Sequence, residues 1–304
     1  MIKKYEIQNN VIIESQNDNS TIAVFINPDE SEKRYLVDEL KIDEHTLQSS
    51  LDPDELSRLE FEPTHLAIIL KRPKNHSGKD GLLFKVASIG AFLFKEKLII
   101  ILTEDIPLFD GKMFAKIHTL PEIMLKLINR SIFHYLEHLK IINMLSDELE
   151  KKINQAMENK YLINLFSLGK SLVYYLNAIN SNGALIEKLK INAAKIGFTQ
   201  EEIEFIDDMF IENNQCYKQA EIYSNILASL MDARASIVGN NLNVLMKTLN
   251  LVTIGIMVPT LIVSIFSMNV HIPMEKLEFA FWIIMGFASL SVAVFLYLWK
   301  RKKW

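Results

Sequence analysis

Two long stretches of apolar residues lie near the C-terminal end of the chain. Thr248–Met274 and Phe279–Trp299 contain no Asp, Glu, Lys or Arg over 27 and 21 residues. A helix rises about 1.5 Å per residue, so about 20 apolar residues cross a bilayer core about 30 Å thick. A buried hairpin in a large soluble core is the alternative, but core helices rarely run past about 20 residues without a charge. The pattern therefore favours two membrane-spanning helices.

The charges that flank these stretches predict their orientation. Lys247 precedes the first stretch and Lys300–Lys303 follows the second, whereas Glu275, Lys276 and Glu278 give the connection a net negative charge. Positive residues stay on the cytoplasmic side, so we expect a multi-pass protein of the cell membrane with both termini in the cytoplasm. The predicted segments are a first transmembrane helix at 248–268, an external loop at 269–278, a second transmembrane helix at 279–299 and a basic cytosolic tail at 300–304.

The first 118 residues alternate short β-type runs with helical ones, which predicts an α+β cytosolic domain. Runs rich in Ile, Val, Leu and Phe predict strands at Thr21–Ile26, His65–Lys71, Leu82–Ala87 and Leu98–Leu102. Acidic residues near their starts predict helices at Ser31–Ile42 and Pro53–Leu59. The segment Pro73–Gly81 is typical of a loop between two strands.

Residues 119–247 follow a helical pattern. Apolar residues at three- and four-residue spacing predict helices at Ile123–Met157, Lys160–Ile179 and Asn182–Lys195. After a break at Gly197, Thr199 and Glu202 form a capping-box-like start. We expect one stalk helix of about 60 residues, about 90 Å long, from Thr199 into the first apolar stretch. A helix of this length usually packs against copies of itself.

Residues at alternating three- and four-residue spacing along this helix are nearly all small or polar. They are Asn225, Ser229, Asp232, Ser236, Gly239, Asn243, Met246, Asn250, Thr253, Met257, Thr260, Ser264 and Ser267. A 3.5-residue repeat held over more than five heptads implies helices around a common axis. Inside the membrane this polar stripe would either line a water-filled path or hydrogen-bond tightly packed helices to one another. We favour the water-filled path.

Composition excludes several classes of function. The formal net charge is −4, and the first 240 residues contain no basic stripe, so nucleic acid is not an expected partner. The single cysteine, Cys216, excludes a disulfide framework and a cysteine-rich zinc module, and it fits a reducing cytosol.

Two short motifs have the spacing of catalytic sequences, but their context argues against an enzyme. His134–His138 has the H-x-x-E-H spacing of some zinc peptidases, yet no recognisable third-ligand segment follows, so we expect a solvated helix face. Gly169–Ser171 matches the end of a phosphate-binding loop, but Asn164 replaces the first glycine and the flanking residues have a helical pattern. We therefore expect neither catalysis nor an organic cofactor.

The outer end of the first apolar stretch resembles a known family. Ser267-Met268-Asn269 is similar to the Gly-Met-Asn signature of the CorA family of magnesium and cobalt channels, which follows the first of two C-terminal spans. The long helix that enters the membrane at Asn243–Lys247, the proline at 259, the two-span ending and the Lys-rich tail extend the resemblance over the last hundred residues. The α+β-then-helical order of the preceding part is also similar to that family.

The resemblance implies a homopentamer in the lipid bilayer, with a CorA-like funnel in the cytosol and one first-span helix per subunit around the pore. The transported ion would be Mg²⁺, with Co²⁺ or Ni²⁺ as further substrates, and intracellular Mg²⁺ would also close the channel. A Zn²⁺ transporter of the same superfamily is one alternative. A non-conducting, membrane-anchored metal sensor is another.

The matching positions imply roles for individual residues. Ser267, Met268 and Asn269 would form the selectivity filter. Together with the stripe, the resemblance predicts that the pore is lined by Asp232, Asn243, Met246, Leu249, Asn250, Thr253, Met257, Thr260 and Ser264, with Met246 and Leu249 at a hydrophobic constriction. Asp208 matches a metal-sensing carboxylate of the family, and Asp207 is close enough in sequence to assist. Ser267 departs from the family's glycine, and it would alter the filter if that turn requires positive φ.

Overall fold

The computed structural model describes residues 1–17, 20–75, 81–155, 159–270 and 277–302. The chain divides into two compact units, Met1–Met231 and Asp232–Trp304, and each is described by itself.

Seven strands of the described part of the chain form one sheet in the first unit. They are β1 Ile2–Gln8, β2 Val11–Glu14, β3 Ile22–Ile26, β4 Arg58–Phe61, β5 His65–Pro73, β6 Val86–Phe94 and β7 Leu98–Leu102. The strand order is β2-β1-β3-β7-β6-β5-β4. β3 pairs with β7 in parallel, and the other described pairings are antiparallel.

The helices follow and interrupt this sheet. Their bounds are α1 Glu30–Arg34, α2 Glu44–Leu51, α3 Leu120–Gln155, α4 Asn159–Ile191, α5 Ala193–Ile196, α6 Gln200–Phe266 and α7 Ala280–Lys302. A π-helical turn at Tyr35–Glu39 continues α1, and a 3₁₀ turn occupies Lys112–Phe114.

The central strands are buried on both faces, which is why their sequences are continuous apolar runs. All five residues of β3 and all five of β7 are buried. Ile22 and Val24 share one apolar cluster with residues of α3 and α4, whereas Ala23 and Phe25 share another with Leu47 of α2. The sheet is therefore covered by helices on both sides.

The polar interior of the first unit contains one well-connected amide. Asn182 of α4 is fully buried, donates from Nδ2 to the Lys71 carbonyl at 2.7 Å, and accepts the Lys71 amide N–H at 3.0 Å. The Ser57 hydroxyl also donates to its Oδ1 at 2.6 Å. The two bonds to the Lys71 backbone hold α4 on strand β5, and the buried amide has a partner for both its nitrogen and its oxygen.

Several of the predicted strands are confirmed, and others need correction. The runs at Thr21–Ile26, His65–Lys71 and Leu98–Leu102 form β3, β5 and β7. The strand predicted at Leu82–Ala87 begins only at Val86 and extends to Phe94. The predicted loop at Pro73–Gly81 lies partly outside the described residues.

The helix predicted at Pro53–Leu59 is wrong. Its last residues belong to strand β4, and the helix lies earlier, in α2. Asp43 is the reason, because its carboxylate accepts the Thr46 amide N–H at 2.9 Å and starts the helix there. The helix predicted at Ser31–Ile42 is present as α1 and the π-helical turn, with a capping box between Asp29 and Glu32.

The predicted helical region is confirmed with one change. The two helices predicted at Lys160–Ile179 and Asn182–Lys195 form a single helix up to Ile191, followed by the short α5. Gly197 ends α5 at φ +88°, a conformation that glycine adopts without strain. Helix α6 then begins with the expected reciprocal cap, in which Glu202 N–H donates to Thr199 Oγ1 at 3.2 Å and Thr199 N–H donates to Glu202 Oε2 at 2.8 Å.

Candidate functional site

Two helices of the described chain are long and apolar enough to cross a membrane, Gln200–Phe266 and Ala280–Arg301. None of the residues in the most apolar 18-residue window of the first is buried, and 6% of those in the corresponding window of the second are. Helices this apolar and this exposed are not core helices of a soluble protein.

One face of the apolar part of α6 is turned toward α7. Its half-buried residues are Leu251, Gly255, Pro259, Ile262 and Phe266, spaced by four, four, three and four. The covered residues of α7 are Ile284, Ala288, Ser291, Val292 and Phe295. A Cβ atom added to Gly255 would lie 3.2 Å from Cε1 of Phe295, so the absence of a side chain at 255 permits this approach.

The polar stripe lies on the opposite face of the same helix. Thr253, Met257, Thr260 and Ser264 are all exposed. At about 100° per residue, they lie roughly 140° to 180° around the helix from Gly255. The side chains expected to line a pore are therefore those that α7 does not cover.

The threonines of the stripe are oriented by their own helix. Thr253 Oγ1 donates to the Leu249 carbonyl at 2.8 Å, and Thr260 Oγ1 donates to the Ile256 carbonyl at 2.6 Å. A hydroxyl that gives its proton to the backbone keeps its lone pairs free as acceptors. The stripe can thus present oxygen acceptors to a cation or to the water around it.

The portion of α6 just before the first span has no covering element within the described chain. From Ala235 to Asn250 no residue is even half-buried. Exposed apolar side chains in this segment include Val238, Leu242, Leu245, Met246 and Leu249. An apolar helical surface of this length requires lipid or another protein surface against it.

The predicted inner pore residues lie in or next to this uncovered segment. Asp232, Asn243, Met246, Leu249 and Asn250 are all exposed. These side chains are therefore accessible to other copies of the helix, and a single chain does not form a pore from them.

The turn after α6 accommodates serine without backbone strain. Ser267 donates from both its amide nitrogen and its hydroxyl to the Ser264 carbonyl, at 3.2 and 3.0 Å. Among the described residues, the non-glycine residues with positive φ are Asn9, Asn10, Asn27 and Lys41. Ser267 is not one of them, so this turn does not require the positive φ that would disfavour serine.

Met268 and Asn269 follow this turn and are both exposed. Residues 271–276, which complete the predicted external loop, lie outside the described residues.

The two predicted sensing carboxylates differ in their surroundings. Asp207 forms an ion pair with Lys190 at 2.8 Å, whereas no ion pair in the described chain involves the exposed Asp208. Glu212, one turn further along α6, has its pKa raised by burial and by the negative charge of Asp208. Sequence reasoning missed Glu212, although its spacing of four from Asp208 was the available signal.

A complete metal site is not formed by these groups alone. The described part of the chain contains no cluster of three or more His, Cys, Asp or Glu side chains suited to hold a metal ion. Glu202 caps α6 and accepts a hydrogen bond from Thr119 at 3.0 Å, so it has a structural role.

The motifs with catalytic spacing belong to the interior of the first unit. His138 is buried with its Nδ1 2.6 Å from the Tyr175 hydroxyl, so the predicted solvated helix face is wrong at this position. The Gly169–Ser171 segment lies inside α4, where Ser171 donates to the Ser167 carbonyl at 2.7 Å. Cys216 is fully buried, and burial raises the pKa of its thiol to about 12.

Comparison with known proteins decides the family. Residues 19–301 match the family described as CorA-like Mg²⁺ transporter protein. The chain belongs to this family. Its members are membrane transport proteins and not enzymes, and the two candidate spans of this chain agree with that.

Individual relatives and structures are similar over most of the chain. The cobalt/magnesium transport protein CorA of Methanocaldococcus jannaschii is 26% identical over 288 residues, which cover 91% of this chain and 89% of the relative. The complete structure of the CorA magnesium transporter from the same organism superposes with a TM-score of 0.82, at 20% identity, over 99% of this chain and 98% of that one. The ZntB cytoplasmic domain from Vibrio parahaemolyticus gives a TM-score of 0.61 at 12% identity, over 78% of this chain and 98% of that domain.

These superpositions confirm the predicted fold class of an α+β domain, a long helix and a C-terminal hairpin of two candidate spans. At such low identity the structural likeness shows the fold alone. The transported ion is inferred from the residues of the site.

Proposed function

We propose that this chain forms a divalent-cation channel that carries Mg²⁺, with Co²⁺ and Ni²⁺ as further substrates, into the cytoplasm. The supporting observation is the stripe of Thr253, Met257, Thr260 and Ser264 on the face of α6 opposite its contact with α7. A polar stripe facing lipid is costly, whereas a stripe facing a shared axis lines a wet path. Cobalt and magnesium transport by the similar CorA protein is consistent with this choice of ion.

The pore requires several copies of the chain. We infer a homopentamer in the cell membrane, with both termini in the cytoplasm, one α6 helix per subunit around the axis and α7 outside it. The uncovered segment Ala235–Asn250 supports this assembly, because its apolar face needs a protein partner before the helix reaches the lipid. In a symmetric ring, Met246 and Leu249 of each copy narrow the path with apolar side chains, which gates conduction by excluding water.

Selectivity is assigned to the turn at Ser267–Asn269. Mg²⁺ is small and gives up its water reluctantly, so a ring of neutral oxygens can hold the hydrated ion more easily than strip it. The Asn269 side-chain oxygen and backbone carbonyls provide such acceptors. A ring of carboxylates would hold the dication more tightly, and conduction needs binding that is weak enough to release the ion.

The membrane potential supplies the driving force. A dication gains roughly 4.6 kcal/mol per 100 mV, twice the value for a single charge, so influx needs no ATP.

Regulation is assigned to Asp208 together with Glu212. Intracellular Mg²⁺ bound between these carboxylates and a neighbouring subunit would relieve their mutual repulsion and stabilise the closed assembly. Asp207 contributes less, because Lys190 already neutralises its charge.

The deciding experiment measures ion flux into liposomes that contain the purified full-length chain. With an inward Mg²⁺ gradient and a negative interior potential, we expect uptake that rises with the potential. Absence of uptake for Mg²⁺, Co²⁺, Ni²⁺ and Zn²⁺ alike would contradict the proposal and favour a non-conducting metal sensor. Preferential Zn²⁺ uptake that Mg²⁺ does not inhibit would instead assign the chain to a Zn²⁺ transporter of the same superfamily.

A further inference from the structure

A cavity of about 350 Å³ in the first unit is lined by an unusual set of cationic groups. Arg72 reaches it from the end of β5, Lys112 from the 3₁₀ turn, and Arg130 and His134 from one face of α3. None of these residues has a part in the proposed conduction path. A cavity of this size is in the range of small-molecule sites, which begin at about 300 Å³.

Arg72 is a buried cation with an unused hydrogen-bond donor. Its side chain is 4% exposed. Nη1 donates to the Pro73 carbonyl at 2.9 Å and Nη2 to Glu104 Oε1 at 2.6 Å, whereas its buried Nε has no hydrogen-bond partner among the described residues. The Nε atom itself is closed to solvent, so what Arg72 contributes at the cavity wall is the positive charge of its guanidinium.

Arg130 brings a second guanidinium to the same cavity. Its Nη1 donates to the Leu108 carbonyl at 2.6 Å and to the Asp110 carbonyl at 3.2 Å. Burial lowers the pKa of Arg130, and the charges of Asp110 and Glu137 oppose that shift, but arginine stays charged in any case. The guanidinium carries five N–H donors, and these two bonds use only those of Nη1.

His134 is a neutral member of the lining. Burial is the main reason that its pKa is lowered to about 4, and the charges of Arg72 and Arg130 lower it further. The imidazole is therefore neutral in the cytoplasm and can donate one hydrogen bond without adding charge. Asp110 and Glu137 also line the cavity and Glu104 pairs with Arg72, so the cations Lys112 and Arg130 are those without an ion pair among the described residues.

We propose that this cavity binds a phosphate group, free or carried by a small cytosolic metabolite, between Arg72 and Arg130. Arginine recognises phosphate through paired N–H donors. A phosphate offers three or four acceptor oxygens, enough for two guanidinium groups and an imidazole, whereas a carboxylate offers two. Apolar side chains such as Ile89 and Leu127 complete the lining and can contact the organic part of a phosphorylated metabolite.

The test uses the full-length chain in a neutral detergent without phosphorus and in a buffer freed of divalent cations. Inorganic phosphate and ribose 5-phosphate are titrated by calorimetry, and citrate serves as the carboxylate probe. We expect saturable binding of at least one of the two phosphates. Binding of both would show that a free phosphate group is sufficient. Binding of ribose 5-phosphate alone would show that the ligand is a phosphorylated metabolite. Absence of binding by both phosphates at about 10 mM, or tighter binding of citrate, would overturn the proposal.

Two variants and one control locate the site. His134→Asp places a carboxylate beside both arginines and should weaken phosphate binding at least about tenfold, and Arg130→Gln should do the same by removing charged donors. Lys140→Gln removes a positive charge from an exposed position of the same helix and should leave affinity unchanged. Should Arg130→Gln fail to fold, His134→Asp still decides the matter, because unchanged affinity in that variant would place the phosphate elsewhere.

Discussion

Helix α6 has two parts that differ in how their residues are covered. In the first unit it buries Ile206, Met209, Cys216 and Ala220 against the other elements of that unit. In its membrane-spanning part the covered residues are only half-buried, and they lie on the face turned toward α7. The sequence is helical in both parts, but only the first part is packed into a buried core.

This contrast explains why the two parts have different roles. A unit with an internal core keeps its structure from its own contacts, whereas an exposed apolar helix must obtain its partners from lipid or from other copies. The residues that we assign to conduction all lie in the second unit and are exposed in the single chain. The residues that determine the stability of the first unit lie elsewhere.

The strongest test of this division is Asn269→Ala. We expect Mg²⁺ flux in liposomes to fall by at least about a hundredfold, because the amide oxygen that would contact the hydrated ion is lost. The oligomeric state and the unfolding of the first unit should not change. Asn241→Ala, at an exposed position of α6 outside the stripe, is the matched control and should retain flux. Normal flux with unchanged ion selectivity in Asn269→Ala would remove Asn269 from the filter.

The first unit should respond to a change in its own interior. Asn182→Leu removes the partners of the Lys71 backbone and of Ser57, which should cost about 3 kcal/mol of unfolding free energy. We expect the thermal midpoint of the full chain in detergent, followed by near-ultraviolet circular dichroism, to fall by about 10 °C. The exposed Asn180→Leu on the same helix should change it by less than about 2 °C. Equal effects of the two substitutions would show that this buried network does not stabilise the unit.

The second unit offers a test of its one close helix contact. Gly255→Val places a branched side chain against Phe295 and should destabilise the α6–α7 pair by about 2 kcal/mol. Gly286→Val makes the same chemical change in α7, where an added Cβ meets no atom within 4 Å. We therefore expect only Gly255→Val to lower the temperature at which the detergent-solubilised protein aggregates. A similar loss in both variants would mean that helix propensity, and not the contact, is responsible.

The smallest expected effect concerns the exposed carboxylate of the first unit. Wild-type protein should become resistant to protease as Mg²⁺ rises, and Asp208→Ala should require about threefold more Mg²⁺ because one ligand is lost. Asp207→Ala should shift the protection curve less, since Lys190 already pairs with that carboxylate. Identical curves for wild type and Asp208→Ala would exclude Asp208 from the sensor.

Strongly periodic or strongly apolar segments of the fold could be predicted from the sequence. The buried strands β3, β5 and β7 and the 67-residue helix α6 are confirmed, since their patterns are long or unbroken. Strands β1 and β2 were not predicted, because their exposed sides mix polar and apolar residues. The helix at Pro53–Leu59 was misplaced because the acidic residues after Asp52 outweighed the true cap at Asp43.

The candidate site could be predicted in part, because the stripe follows from regular spacing along one helix. The structure adds that α7 covers the opposite face of that helix. The difference between Asp207 and Asp208 was not predictable, because Lys190 belongs to another helix. The cavity between Arg72 and Arg130 also depends on residues that are distant in sequence and meet only through the packing of α3 beside β5.

Thiol modification along the first span tests most directly whether the stripe faces water. The native Cys216 is buried with a pKa raised to about 12, so it provides a silent background. Single cysteines are introduced on the stripe, by Thr260→Cys and Ser264→Cys, and on the face turned toward α7, by Leu251→Cys and Ile262→Cys. The protein, in bilayers and in a buffer without Mg²⁺, is treated with a small cationic methanethiosulfonate reagent. The stripe cysteines should be modified at least about tenfold faster than those facing α7, because the reactive thiolate forms only in contact with water. Equal rates on the two faces, or faster modification at 251 and 262, would contradict a pore lined by this stripe.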